Sequence, residues 1–266
     1  MSAPESARSY LFVPGNRPER FDKACNSGAD AVILDLEDAV APDEKVQARA
    51  HIRQWLTDGG KAYVRLNAAH TSYFADDCRL LSVQGLQGIM LPEAQSVVAV
   101  RSLAAKMPAG LALILLIENA QGMYRAAELA QIEGVSRLAF GSVDYKLDCQ
   151  IPDESGLIMA RQTLVLASAV GRLSPPIESV TINLDDTAVL EQEAEQARQF
   201  GFGAKLCIHP RQVETVNRVF SPSEADIERA QRILAAVEQS ENLNAARLDG
   251  HLLEKPIIEW ARRILG

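Results

Sequence analysis

Residues 28–38 read GADAVILDLED. A period of two places Val32, Leu34 and Leu36 on one face of this run, and Ile33, Asp35 and Glu37 on the other. The aliphatic face suits a covering layer of helices, so the face that carries the carboxylates turns inward. Next comes Pro42-Asp43-Glu44, a first helical turn with proline and acids, with Val46, Ile52 and Leu56 on the apolar face and a stop at Gly59-Gly60. The stretch thus reads as a strand, an acidic strand end and a helix.

The same unit recurs along the chain. Short apolar runs predict strands at Ser9–Val13, Ala31–Leu36, Ala62–Leu66, Gly88–Leu91, Leu111–Ile117, Arg137–Gly141, Ile177–Ile182 and Ala204–Ile208. Eight alternations of strand and helix imply parallel strands joined by right-handed crossovers, and closure into a (β/α)8 TIM barrel leaves no sheet edge exposed. An open doubly wound sheet is the competitor, but no GxGxxG follows the first strand and no GxxxxGK[ST] occurs. After the eighth run, helices at Ile227–Val237 and Pro256–Leu265 flank a polar stretch, Ser240–Arg247. The expected organisation is a barrel over residues 1–220 with a C-terminal helical extension over 221–266, packed on its own barrel or, as the favoured expectation, on a neighbouring subunit.

The 266 residues are 47% hydrophobic and 23% charged, enough for a substantial core, which excludes disorder as the main state. A net charge of −8 argues against general binding to nucleic acid or an anionic membrane. No apolar run is long enough to span a bilayer, and Met1–Ser9 lacks the core of a signal peptide, so a cytoplasmic protein acting on a small molecule is expected. Cys25, Cys78, Cys149 and Cys207 lie far apart without CxxC spacing, which suggests neither a zinc site nor a disulfide framework.

Barrel enzymes carry their chemistry at the carboxyl ends of the strands. In Ala62–Asn67 the parity sends Val64 and Leu66 outward and Tyr63, Arg65 and Asn67 toward the mouth. Arg65 there suits an anion; a structural ion pair with Glu37 is the other reading. Glu118 ends the fifth strand and Asp144 lies in the loop after the sixth. Two converging oxygen donors suit Mg²⁺, which takes one or two carboxylates and keeps water positions for substrate oxygens. Ordinary exposed loop acids remain the alternative. Asp35, Glu37 and Asp38 repel one another and call for a nearby cation or arginine. Lys205 is read as facing inward, as a buried partner of Asp35. His209 is read as a hydrogen-bonded structural histidine.

Several ordered segments carry a resemblance: RSYLFVPGNRPERFDKA from Arg8, GADAVILDLEDAVAPDEK from Gly28, VRLN at Val64, GIMLPE at Gly88, LIEN at Leu116, AFGSVD at Ala139, GFGAKLCIHP at Gly201 and LDGHLLEKPIIEWARRIL at Leu248. Over nearly its whole length the chain resembles the citrate lyase β-subunit-like and malyl-CoA lyase family, of the HpcH/HpaI aldolase/citrate lyase type. The resemblance implies a TIM barrel that uses Mg²⁺ to break or form the C–C bond of a 3-hydroxyacyl-CoA thioester. It further implies that Glu118 and Asp144 hold the metal, that Arg65 and Glu118 meet the substrate, and that Arg65, Glu37 and Asp249 serve catalysis. Asp249 would act as general acid/base from the tail of an adjacent subunit in a homotrimer or hexamer; a plain turn aspartate before Gly250 is its ordinary reading. Arg8, Arg17, Arg20 and Lys23 are implied to contact the phosphates of CoA. Asn16 stands where many relatives carry Asp, and Val143 replaces an acid beside the metal site. Thioesterase or malate synthase-like activity on the same scaffold, and a non-catalytic metabolite-binding barrel, are the competing functions.

Overall fold

The computed structural model describes residues 6–240, 247–249 and 251–266. The expected stretch 241–246 and Gly250 lie outside them. The chain divides into two units, Met1–Phe220 and Ser221–Gly266.

In chain order the first unit runs β1 (Ser9–Pro14), α1 (Phe21–Cys25), β2 (Ala31–Asp35), α2 (Lys45–Thr57), β3 (Ala62–Arg65), α3 (Phe74–Asp77), β4 (Leu86–Leu91), α4 (Val97–Ala104), β5 (Ala112–Ile117), α5 (Ala120–Tyr124) and α6 (Ala126–Ala130). It continues with β6 (Val135–Phe140), α7 (Ser142–Asp148), α8 (Ile158–Val170), β7 (Ile177–Glu178), α9 (Thr187–Phe200), β8 (Ala204–Cys207) and α10 (Val213–Phe220). The eight strands are parallel and close on themselves, β1 pairing with both β2 and β8. This is the TIM barrel expected.

Alternation along each strand sorts the core into two layers. Leu11, Val32, Leu34, Val64, Ile89, Leu113, Leu115 and Leu138 pack between strands and helices. Tyr10, Ile33, Tyr63, Met90, Ile114, Leu116 and Leu206 fill the barrel interior, where the Tyr10 and Tyr63 rings meet edge to face at 5.9 Å. The interior is therefore packed, and chemistry is confined to its rims. Helix ends follow local rules: Asp186 caps α9 by accepting from the N–H groups of Ala188 and Val189, and Gly201 closes it at φ 103°. Val46, expected on the buried face of α2, is 71% exposed; Ala48, Ile52 and Leu56 make that face.

Two sequence expectations change here. Strand seven pairs over Ile177 and Glu178 only, not through Ile182. Lys205 does not face Asp35: Ala204 and Leu206 occupy the interior, so the period of two sends Lys205 to the helix side. There it donates to the Ser179 carbonyl at 2.7 Å and lies 3.6 Å from Glu193.

In the second unit α11 (Glu224–Glu238), the antiparallel pair β9 (Arg247–Leu248) and β10 (His251–Leu252), and α12 (Lys255–Leu265) share a small core of Ala230, Ile233, Leu253, Ile258 and Ala261. Ser223 caps α11 in a reciprocal arrangement with Asp226. No described helix is long and apolar enough to cross a membrane.

Gly88 shows how tightly the interior is filled, since a Cβ there would meet the Ala112 carbonyl at 2.4 Å and the Tyr63 ring at 2.9 Å. Gly88→Ala is expected to cost about 1–3 kcal/mol through overpacking, read as a lower urea midpoint at unchanged slope.

Candidate active site

The carboxyl ends of the strands gather the acids that the sequence singles out. The register of β2 and β3 sets Asp35 beside Arg65, so their side chains meet on the mouth face. Arg65 Nε and Nη2 donate to the two Asp35 oxygens at 2.6 and 2.7 Å, a bidentate fork, and Nη1 lies 2.8 Å from Glu37. Asp35 also accepts the N–H groups of Glu37 at 2.9 Å and Ala39 at 3.2 Å, which bends the acidic loop back over the strand end. The guanidinium lies over the Phe12 ring at 4.7 Å. Thus Arg65 forms the structural pair with Glu37 and also faces the mouth, with Asp35 as its principal partner.

Lys45 completes this corner. It is buried at the start of α2, and its Nζ donates to the carbonyls of Leu36 at 2.8 Å and Glu37 at 3.1 Å. Sequence reasoning missed it. The apolar patterning of α2 gives no hint that a lysine points inward, although its place at the end of a proline-acid turn is the usable signal.

Glu118 leaves β5 into a close-fitting slot. Its Oε1 accepts the Glu93 N–H at 2.6 Å. Glu93 has φ 45°, left-handed backbone that costs a non-glycine residue about 1–3 kcal/mol, and that conformation aims its N–H at the carboxylate. Gly141 faces the other side of Glu118: a Cβ there would lie 2.4 Å from its Cβ and 2.7 Å from Oε2. Asn119 caps α5 by accepting from the Gly122 N–H at 2.8 Å, which fixes the turn just after the acid. Asp144 lies in the first turn of α7, which begins immediately after Gly141.

These groups converge. A cavity of about 400 Å³ is lined by Arg65, Glu118 and Asp144 together with Asp35, Asp38, Phe12, Leu116, Val143, Ser179 and Ile208. A second, of about 300 Å³, is lined by Glu37, Asp38, Glu93, Glu118, Asp144 and Asp148 with Asn119 and Leu147. Burial, and then the charge of neighbouring acids, pushes Glu118 up to about 8 and Glu37 to about 7, against the pull of Arg65. Asp144 is raised too, by burial and then by Asp38. For Arg65, burial opposes the charge, but Asp35, Glu37 and Asp38 outweigh it and strengthen proton binding.

Such a site favours a cation. Glu118 and Asp144 point hard oxygen donors into one space, and Gly141 leaves that space open. Among the described residues no three His, Cys, Asp or Glu side chains form a ready-made cage; Mg²⁺ needs only one or two carboxylates, with water for the rest. The residues therefore fit the ion.

The basic residues divide. Arg20 and Lys23 line an adjoining cavity of about 320 Å³ with Phe12, Ile208, His209 and Pro210. Arg17 instead pairs with Glu19 at 2.7 Å. Arg8 stands just before β1, at the amino ends of the strands, opposite the mouth, and pairs with Asp30 at 2.8 Å. At that end it stands apart from Arg20 and Lys23. His209 accepts from the Arg211 N–H through Nδ1 and caps the turn after β8, a structural part as expected. Asp249 belongs to the second unit, where both its oxygens accept from Arg232 Nη2 at 2.7 Å.

A closed parallel barrel whose mouth gathers an arginine and two carboxylates, one buried and one exposed, defines a TIM-barrel enzyme of the carbon–carbon lyase type. The model of the HpcH/HpaI aldolase/citrate lyase family matches residues 8–210, and that of the C-C bond lyases of the TIM-barrel fold matches residues 159–266. The chain belongs to the HpcH/HpaI aldolase/citrate lyase family. It is 35% identical to a (3S)-malyl-CoA thioesterase of Cereibacter sphaeroides, over 97% of this chain and 93% of that one. It is 31% identical to a citrate lyase subunit beta-like protein of Deinococcus radiodurans, over 100% and 99%. Among solved structures, CitE of Mycobacterium tuberculosis in complex with magnesium, acetoacetate and coenzyme A superposes with TM-score 0.82 at 30% identity, covering 98% of this chain and 97% of that one.

Because folded Glu118 holds its proton up to about 8 and an ordinary glutamate releases it near 4.5, its share of stability is complete below 4.5 and lost as pH rises through 8. In metal-free protein the melting temperature is expected to fall between pH 5 and 8. Glu118→Gln should flatten that slope in calorimetry; Glu37 would supply what slope remains.

Proposed function

We propose that the protein is a Mg²⁺-dependent carbon–carbon lyase that cleaves, or in reverse forms, a 3-hydroxyacyl-CoA thioester such as a citramalyl-, malyl- or citryl-CoA. The observation that carries this reading is the convergence of Arg65, Glu118 and Asp144 on one cavity. Complexes of relatives support it: CitE of Mycobacterium tuberculosis is described with magnesium, acetoacetate and coenzyme A, and the citrate lyase beta subunit of that organism with oxaloacetate and magnesium.

Cleavage takes the proton from the 3-hydroxyl, breaks the C2–C3 bond as that oxygen becomes a carbonyl, and leaves the electron pair on C2 as a thioester enolate. The enolate takes a proton at C2, giving a keto acid and an acyl-CoA. Negative charge develops on oxygen at both ends of the breaking bond, and fixed positive partners lower that barrier. Bound at Glu118 and Asp144, Mg²⁺ would supply Lewis-acid stabilisation to the hydroxyl or keto oxygen and its neighbouring carboxylate. Arg65, locked by Asp35, offers its guanidinium edge to substrate oxygens without having to reorganise. Glu37, with a proton affinity near neutrality, can hold a proton beside Arg65. Arg20 and Lys23 meet the phosphates of CoA in the adjoining cavity. Asp249 delivers the C2 proton from the tail of a neighbouring subunit of a homotrimer or hexamer.

The named thioesterase relatives favour a second reading, hydrolysis of the same thioester. Incubation of citramalyl-, malyl-, methylmalyl- and citryl-CoA with Mg²⁺ separates the two: keto acid and acyl-CoA mark the lyase, free CoA and intact hydroxy acid the thioesterase. Turnover of none of the four overturns both. In the active reaction Arg65→Lys is expected to lower kcat by about 10²-fold or more, since one ammonium cannot replace a fork locked on Asp35. EDTA should abolish activity, and added Mg²⁺ should restore it.

A further inference from the structure

Lys205 takes no part in this chemistry, yet its amino group is buried behind β7 and β8. Because β7 ends at Glu178, Ser179 is the first residue beyond the strand ladder, and its backbone needs other partners. Its carbonyl accepts from Lys205 Nζ at 2.7 Å, and its N–H donates to Glu178 Oε1 at 3.0 Å. Glu178 is itself held by Arg161 Nε at 2.9 Å. Both backbone groups of Ser179 are thus fixed by buried side chains.

Held in this way, Ser179 Oγ accepts the N–H of Ser142 at 3.0 Å. Ser142 opens α7, and its N–H is one of the helix donors that have no partner inside the helix. On the other side of that turn, the Gly141 N–H donates to the Ile117 carbonyl at 3.0 Å, one residue before Glu118. The first turn of α7, which carries Asp144, is therefore anchored to β5 through Gly141 and to the end of β7 through Ser179.

Resting on the metal reading above, we propose that Lys205, Ser179 and Ser142 form a positioning relay that holds Asp144 opposite Glu118 at the separation a divalent cation requires. The hydrogen bond that the Ser179 hydroxyl accepts from the Ser142 N–H holds the turn without adding charge to the site. Ser179 and Lys205 are positioning residues; neither supplies a ligand atom.

The test is Mn²⁺ titration followed by electron paramagnetic resonance, with metal-free thermal melts alongside. Ser179→Ala deletes the acceptor. Ser142→Pro deletes the donor at the first helical position, where proline is tolerated. Each is expected to weaken Mn²⁺ binding by about 10-fold, the effect of losing an outer-shell partner of a ligand, and the double variant should be no weaker than either single one. Thr181→Val, which removes a neighbouring buried hydroxyl bonded to Glu193, should bind Mn²⁺ as the unaltered protein does. Lys205→Met should resemble Ser179→Ala; if it fails to fold, the serine variants decide. Unchanged Mn²⁺ affinity in Ser179→Ala, or additive losses in the double variant, overturns the relay. If Glu118→Gln still abolishes binding in that case, the metal reading stands without it. Failure of the unaltered protein to bind Mn²⁺ overturns both.

Discussion

A carboxylate with four donors on it organises the mouth. Asp35 takes a fork from Arg65 and two N–H groups from the loop that follows its own strand. This anchors a guanidinium among acids and fixes the course of the loop carrying Glu37 and Asp38. Breaking a buried pair of this kind typically costs about 3–5 kcal/mol, because one charge is left without its partner. Lys45 adds to the rigidity from below by taking the carbonyls of Leu36 and Glu37.

With Arg65 fixed as a positive pole, the other acids are left with too little positive charge. Glu118 and Asp144 are desolvated and crowded by Glu37 and Asp38, which makes their ionised forms unfavourable in the free protein. The Glu93 N–H, aimed by left-handed backbone, offsets part of this by donating to Glu118, and the bare Cα of Gly141 gives the carboxylate its room. Strain of this sort persists where the surrounding structure over-determines it, and a cation would turn it from a cost into binding energy. On the proposed reading, the raised carboxylates are the feature that would make the site receptive to a cation.

The fold was legible because short apolar runs in β2, β3 and β5 end abruptly in Asp35, Arg65 and Glu118. Those strand ends are the site, so the same pattern revealed both. Lys205 was misread because β8 pairs over only four residues, too few to fix parity without its neighbours. Strand seven was overextended for a related reason: Ser179–Ile182 continues the apolar alternation, but its backbone is taken by side chains of Lys205 and Gln212 rather than by a strand. A motif gives sequence neighbourhood and not barrel end: Arg8 precedes β1, whereas Arg20 and Lys23 follow it. Lys45, Glu93 and Ser179 act through backbone groups, and no side-chain pattern announces such roles.

Carbon–carbon cleavage and thioester hydrolysis demand much the same of the barrel. Each builds negative charge on an oxygen near the thioester, and each gains from a locked guanidinium and a metal held by two carboxylates. What separates them is the delivery of a proton to carbon or of water to the carbonyl. Asp35 and Arg65 are committed to neither task, since Asp35 is saturated with donors and Arg65 is held charged. The deciding group must then be one less firmly engaged. On the reading proposed above that group is Asp249, which is exposed, has φ 52° and pairs with the exposed Arg232.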